Sequence, residues 1–208
     1  MILIGQYDSP FVRRVGIALR LYGIAFDHRP WSVFGDAEKL AALNPLVRVP
    51  TLVLADGTVL TESHMILDHL DSLVSEERAM FPRHEPLRHR VLRATALATG
   101  LADKAVSLFY ERRLHDVASP VWEARCRQQI GAVVAVLSAE RAAQAGRFWF
   151  GDRISHADIA LTCAWRFLSE AHPGLVPAAT APALASYAAA FEAEPVFREM
   201  AQPFVFPA

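Results

Sequence analysis

Short apolar runs alternate with helix-period stripes through the first third of the chain, and helical spacing alone continues after it. Residues 2–5, 24–30, 51–54 and 58–60 are compact, largely apolar or β-branched segments of strand type. Helical stretches are expected to begin near Pro10, Asp36 and Ser63, giving the order β-α-β followed by β-β-α. Ala55-Asp56-Gly57-Thr58 carries a tight-turn signal between two strands, so the last two strands should pair antiparallel. Glu76-Glu77-Arg78 and Phe81-Pro82-Arg83-His84-Glu85-Pro86 read as a linker, because two prolines interrupt any helix there. From Leu87 onward Val91, Leu92, Ala94, Thr95, Ala98 and Leu101, then Ile130, Val133, Val134 and Leu137, recur at helical spacing and no strand is required. The expected division is an α/β domain over residues 1–78 and an all-helical domain over 86–208.

Composition narrows the functional classes. With 208 residues, of which 53% are hydrophobic, the chain has ample material for a buried core and is not a disordered polymer. A formal net charge of -1 supplies no global field for nucleic acid or an anionic membrane, so neither is an expected partner. The opening Met1-Ile2-Leu3-Ile4-Gly5 lacks a basic leader, and no apolar stretch reaches the length of a membrane span, so a cytoplasmic location is expected. Only Cys126 and Cys163 occur, without Cys-x-x-Cys spacing. Any sulfur that reacts here would have to be borrowed from a ligand. The eight histidines form no metal set: His64 and His69, like His84 and His89, are five apart and off a common i, i+4 face, and all are expected at the surface. No metal is expected.

Three local patterns carry candidate chemistry. Ser9-Pro10 is the preferred order for an N-cap and first helical residue, so a helix should start at Pro10 with its positive end beside the Ser9 hydroxyl. Capping alone also accounts for that pair. Val49-Pro50-Thr51-Leu52 opens a buried strand at a proline. Glu62-Ser63 precedes Met65, Ile66, Leu67, Leu70 and Leu73 on one helical stripe, with Ser63 expected to cap it and Glu62 to add a carboxylate. A hydroxyl at a helix end, a strand-edge backbone and an acid suit a γ-glutamyl thiol peptide, which carries carboxylates at both ends and one amine. In the helical half, Ser155-His156-Ala157-Asp158 fits the Ser-x-x-acid capping pattern and is a folding element, not chemistry.

Ser9-Pro10-Phe11-Val12-Arg13, Asn44-Pro45 leading to Val49-Pro50-Thr51-Leu52, Glu62-Ser63-His64-Met65-Ile66-Leu67 and Ile154-Ser155-His156-Ala157-Asp158-Ile159-Ala160 stand in the order and spacing of the glutathione S-transferase superfamily. The chain resembles bacterial members with a serine in the first helix turn, rather than the tyrosine or cysteine classes. The resemblance implies a thioredoxin-like glutathione-binding domain with a cis bond before Pro50, an all-α domain contributing the electrophile site, glutathione as cosubstrate, a role in detoxification and a homodimer. One departure stands out: Val47 in Asn44-Pro45-Leu46-Val47-Arg48 replaces a flexible residue, which leaves the course of that loop open. Position 36, a lysine in some relatives, is Asp36.

Under this reading Ser9 stabilises the glutathione thiolate. A thiol of pKa near 8.5 is roughly 3% ionised at pH 7, and lowering it by about two units raises this to roughly 75%. Ser9, Phe11, Arg48, Val49, Glu62 and Ser63 form the expected glutathione site: the Val49 backbone for the cysteinyl unit, Glu62 and Ser63 for the γ-glutamyl end, and Arg48 for the glycyl carboxylate. Tyr110 and Arg113 are the expected electrophile residues, with Phe109, Trp165, Phe204 and Phe206 as further aromatics. Three functions are in play: a transferase acting on small electrophiles, a glutathione-dependent thiol/disulfide oxidoreductase or peroxidase, and a non-catalytic glutathione-binding interaction protein.

Overall fold

A computed structural model describes residues 1–204. Its strands are β1 (Ile2–Ile4), β2 (Asp27–Arg29), β3 (Thr51–Val53) and β4 (Val59–Thr61). The helices are α1 (Pro10–Tyr22), α2 (Ala37–Ala41), α3 (Ser63–Ser72), α4 (Leu87–Leu114), α5 (Pro120–Ala142), α6 (His156–Ala171), α7 (Pro182–Glu192) and α8 (Pro195–Glu199). The chain divides into two compact units: Met1–Arg83 together with the chain from Glu194 onward, and His84–Ala193.

The first unit is built on a sheet of order β2-β1-β3-β4, with β1 parallel to β2 and the remaining pairs antiparallel. The β3–β4 connection is the expected tight turn, with Gly57 at φ 87 and the Thr58 amide donating to the Asp56 carboxylate at 2.9 Å. Helix α1 starts where Ser9-Pro10 directs it and stops at Gly23, whose φ of 69 lets its amide turn back to the Arg20 carbonyl. Val12, Val15, Ile17, Ala18 and Leu19 are fully buried along it.

The segment after α3 is not a loose linker. Ala79, Met80 and Phe81 are buried; the Met80 amide donates to the Tyr22 hydroxyl at 2.9 Å and the Phe81 amide to Asp71 at 2.8 Å. The Tyr22 hydroxyl itself bonds Asp71. The chain from Glu194 also packs with this first unit, where the sequence pattern assigned it to the helical one. The reason is a buried cation: Arg13, 2% exposed, donates from Nε to the Met200 carbonyl and from a terminal nitrogen to the Phe197 carbonyl, both at 2.8 Å.

The second unit contains no strand among the described residues. Its centre is α6, buried nearly all round from His156 to Leu168 and packed between α4 and α7. Ser155 caps it reciprocally with Asp158, which accepts from the Ser155 amide and hydroxyl at 2.6 Å, from the Trp149 amide at 2.6 Å and from the Tyr187 hydroxyl. Two histidines depart from the surface expectation. His156 and His172 are buried, the latter with Nε2 2.8 Å from the Ala105 carbonyl. No helix among the described residues is long and apolar enough to cross a membrane.

Candidate functional site

Sheet register gathers the three sequence patterns. Ile4 pairs with Thr51, and Thr51 with Thr61, so the ends of β1 and β4 and the start of β3 share one edge of the sheet. At that edge the chain enters α1 through Ser9, enters β3 through Val49-Pro50, and enters α3 through Glu62-Ser63. The Val49–Pro50 bond is cis. Close approach is made possible by Gly5: a Cβ there would lie 2.5 Å from a Val12 methyl and 2.8 Å from the Val49 Cβ.

Ser9 is the N-cap of α1, its hydroxyl oxygen accepting from the Val12 amide at 3.4 Å. That use of a lone pair leaves the hydroxyl proton able to be donated to another group. The first turn of α1 holds no acidic residue, so the positive end of the helix is not offset from within. Phe11, half-buried, follows on the same turn. The neighbouring Tyr7 is a phenol of a different kind. Its ring presses on Gly16, 2.8 Å from where a Cβ would sit, and stacks on His28 at a centroid distance of 4.0 Å. Burial first, then the Glu199 charge, push its pKa up to about 12. The Tyr7 ring is thus packed against α1 and β2, and Ser9 is the hydroxyl that caps the helix end.

The loop before Val49 is fixed from inside by Asn44, 1% exposed. Its amide nitrogen donates to the Arg48 carbonyl and the Thr51 hydroxyl, both at 3.0 Å, while its oxygen accepts from the Leu46 amide at 3.0 Å. The Thr51 hydroxyl donates to the same Arg48 carbonyl at 2.8 Å. Val47 sits in this turn at φ 49, a positive value that a β-branched residue rarely adopts. The loop thus turns through a left-handed residue despite lacking a glycine. The backbone of Val49 makes no hydrogen bond to another described residue.

At α3 the caps differ from expectation. Glu62, not Ser63, is the N-cap, with φ 63 and ψ 115 and no side-chain capping bond; Ser63 is the first helical residue. The positive φ at Glu62 is a strained backbone for a non-glycine residue, of the kind that collects at binding sites. Glu62 instead pairs with Arg48, 2.7 Å apart. Ser63, 3% exposed, accepts from the Arg14 guanidinium at 3.3 Å. Arg14 is itself 1% exposed, so a buried cation ties α1 to the start of α3.

Ser9, Val49, Glu62 and Ser63 are therefore brought to one edge, and Arg48 joins them through Glu62. Tyr110 and Arg113 belong to the second unit. There Tyr110 lies 6.0 Å from Phe109 between ring centroids, Arg113 reaches over the Phe109 ring at 5.9 Å, and Phe109 meets Phe167 and His172 edge-on. Trp165 is buried in α6 and Phe204 half-buried; Phe206 lies outside the described residues. Gly5, Arg14, Asn44 and Thr51 also support the edge; Asn44 and Thr51 stand in the sequence motifs, but none of the four carried an expected supporting role. Asn44-Pro45 ahead of Val49-Pro50 was the available signal for one of them, and an arginine inside an apolar helix for another. Cys126 and Cys163 are both buried, and neither is part of a disulfide. Among the described residues no group of three or more His, Cys, Asp or Glu could hold a metal ion.

Comparison with known proteins identifies the class. Residues 3–78 match the family model of the glutathione S-transferase N-terminal domain and residues 120–190 that of the C-terminal domain. A glutathione transferase family member from Pseudomonas fluorescens Pf-5, solved with bound glutathione, is 30% identical with a TM-score of 0.82, covering 98% of this chain and 99% of its own. A glutathione S-transferase from Methylobacterium radiotolerans, in complex with glutathione sulfonate, is 29% identical with a TM-score of 0.88 over 100% and 98% of the two chains. The chain belongs to the glutathione S-transferase superfamily and has its fold. Among curated relatives, the uncharacterized GST-like protein YibF of Escherichia coli is 38% identical over 104 residues, about half of each chain, 50% and 50%. The matched stretch of glutathione S-transferase U4 of Arabidopsis thaliana likewise spans only 54% of that protein.

Proposed function

We propose that this protein binds glutathione at the Ser9–Val49–Glu62 edge, holds its sulfur as the thiolate, and transfers it to a small electrophile. The observation that carries the reading is the convergence of a hydroxyl-capped helix end, the unbonded Val49 backbone ahead of β3 and a carboxylate at one sheet edge. The glutathione cysteinyl backbone pairs with Val49, its ammonium takes the Glu62 carboxylate, and the helix end with Ser63 receives its α-carboxylate. Arg48, released from Glu62, is the cation for a glutathione carboxylate. Ser9 donates its hydroxyl proton to the sulfur. A charge-assisted hydrogen bond contributes about 1.5–3 kcal/mol and a helix end up to about 2 kcal/mol. Either covers much of the about 2.7 kcal/mol that two pKa units require. The sulfur then attacks an electrophilic carbon: an S–C bond forms, the leaving group departs with its electron pair, and the thiol proton has already passed to solvent.

Tyr110 and Arg113 are proposed to meet the electrophile, the guanidinium favouring an acidic or polarised acceptor. Solved relatives with glutathione and glutathione sulfonate bound support the cosubstrate. A homodimer, a cytoplasmic location and a role in detoxification accompany this reading. The oxidoreductase alternative is disfavoured because position 9 is serine and both cysteines are buried, which leaves no protein thiol at the edge for a mixed disulfide. The non-catalytic alternative shares the glutathione site and differs in showing no turnover with an electrophile. Calorimetric titration with glutathione and with an S-alkylated analogue tests the binding step. Micromolar to low-millimolar affinity supports the reading, and absence of heat with both contradicts it.

A further inference from the structure

The turn that delivers Ser9 to the edge is held by the far end of the chain. Residues 7 and 8 form the turn between β1 and α1. Inside it, the Ser9 amide donates to the Gln6 carbonyl at 3.2 Å. A further anchor comes from the carboxy-terminal segment: the Tyr7 amide donates to the Gln202 side-chain oxygen at 2.9 Å. The segment has its own attachment to α1. Arg13 grips the carbonyls of Phe197 and Met200 and lies over the Phe197 ring at 5.8 Å, and Arg20 pairs with Glu199 at 2.7 Å. Between these points Gly16 leaves room for the Tyr7 ring and for the Met200 sulfur, which would lie 3.3 Å from a Cβ there.

We propose that the segment 194–202 is a positioning element for the thiolate site, with Gln202 setting the turn that carries Ser9 and Arg13 holding the segment in place. The inference rests on the thiolate role of Ser9 given above. Its physical basis is distance sensitivity: the Ser9 hydroxyl stabilises a thiolate only within hydrogen-bond reach, and a displacement of about 1 Å in such a contact can cost up to a hundredfold in rate. The turn is short, and a relaxed Tyr7 amide moves Ser9 directly. Gln202 and Arg13 touch no reacting atom under this account; both act through Ser9.

The test compares the full-length protein with Gln202→Leu, Arg13→Lys and the double variant, reading the pKa of the bound glutathione thiol from its ultraviolet thiolate absorbance. Thermal midpoint and calorimetric glutathione affinity are measured alongside. Gln202→Leu is expected to raise the bound thiol pKa by about half a unit to one unit, a three- to tenfold loss of thiolate preference, with glutathione affinity and thermal midpoint close to the parent. Because Arg13 acts through the same segment, the double variant should rise no further than the larger single effect. A parent-like pKa in Gln202→Leu overturns the inference even if Arg13→Lys fails to fold, and full additivity overturns the shared route. If the parent itself binds no glutathione, the functional reading falls with it. Binding by the parent with a thiol pKa well below the free value, together with an unmoved Gln202→Leu, overturns this inference alone, whereas a parent pKa equal to that of the free thiol overturns the thiolate reading itself.

Discussion

Arg48 and Glu62, both at the edge proposed to hold glutathione, are paired with each other at 2.7 Å while their side chains remain 60% and 48% exposed. An ion pair this open to water contributes about 0–1 kcal/mol, so a ligand ammonium can replace the guanidinium at little cost. Glu62→Ala should weaken glutathione binding by about tenfold or more, the loss of one charge-assisted contact, and leave the bound thiol pKa where it was. Arg48→Ala should weaken binding less, by about threefold. Calorimetric titration of the two variants checks the order, and a larger loss in Arg48→Ala would place the ammonium elsewhere.

Val47 holds a positive φ in the turn before Arg48. A β-branched residue in that conformation stores about 1–3 kcal/mol of strain, which a glycine would relieve while adding some freedom to the unfolded chain. Val47→Gly is expected to be neutral or to stabilise the fold by up to about 1 kcal/mol. Denaturant titration reads this, and a clear destabilisation would mean the valine side chain is needed for packing.

Asp158 is fully buried and accepts from two backbone amides and two hydroxyls. Asp158→Ala orphans all four donors, so the loss should exceed a simple cap and reach about 3 kcal/mol or more. The prediction is a large drop in thermal midpoint with glutathione binding retained below it. Loss of binding in a variant that is still folded would assign Asp158 a different role.

His172 supplies a pH dependence. Burial lowers its pKa from an ordinary 6.5, with the Ala105 carbonyl opposing and the Arg112 and Arg127 charges reinforcing the shift while Glu123 counters it. Below 6.5 the unfolded chain takes up a proton that the folded chain resists, so this contribution is complete above that pH and declines as pH falls. Denaturant stability measured from pH 8 down to about 5 should fall on the acid side, and less so in His172→Asn. Equal slopes in the two proteins would contradict the assignment.

The parts of the fold that local signals control were legible in the sequence. Ser9-Pro10 states a helix start within two residues, Asp56-Gly57 states a turn, and Ser155 with Asp158 states a cap; in each case the partner lies within a few positions and the structure puts it there. Ser63 misled because capping side chains look alike in sequence, whereas the choice between Glu62 and Ser63 was made by a backbone torsion of 63°. The burial of Arg13 and Arg14 could not be read from the sequence, since nothing in spacing reveals that their acceptors come from Phe197, Met200 and Ser63. His156 and His172 escaped for the same reason: burial is a property of the packed helices, not of histidine spacing.

The most direct test of the account is the pKa of the glutathione thiol bound to the parent protein and to Ser9→Ala. The account predicts a parent value about two units below the free thiol and a clear rise in Ser9→Ala, with glutathione affinity within a few fold. An unchanged pKa in Ser9→Ala, with glutathione still bound, would contradict the thiolate role on which the proposed function stands.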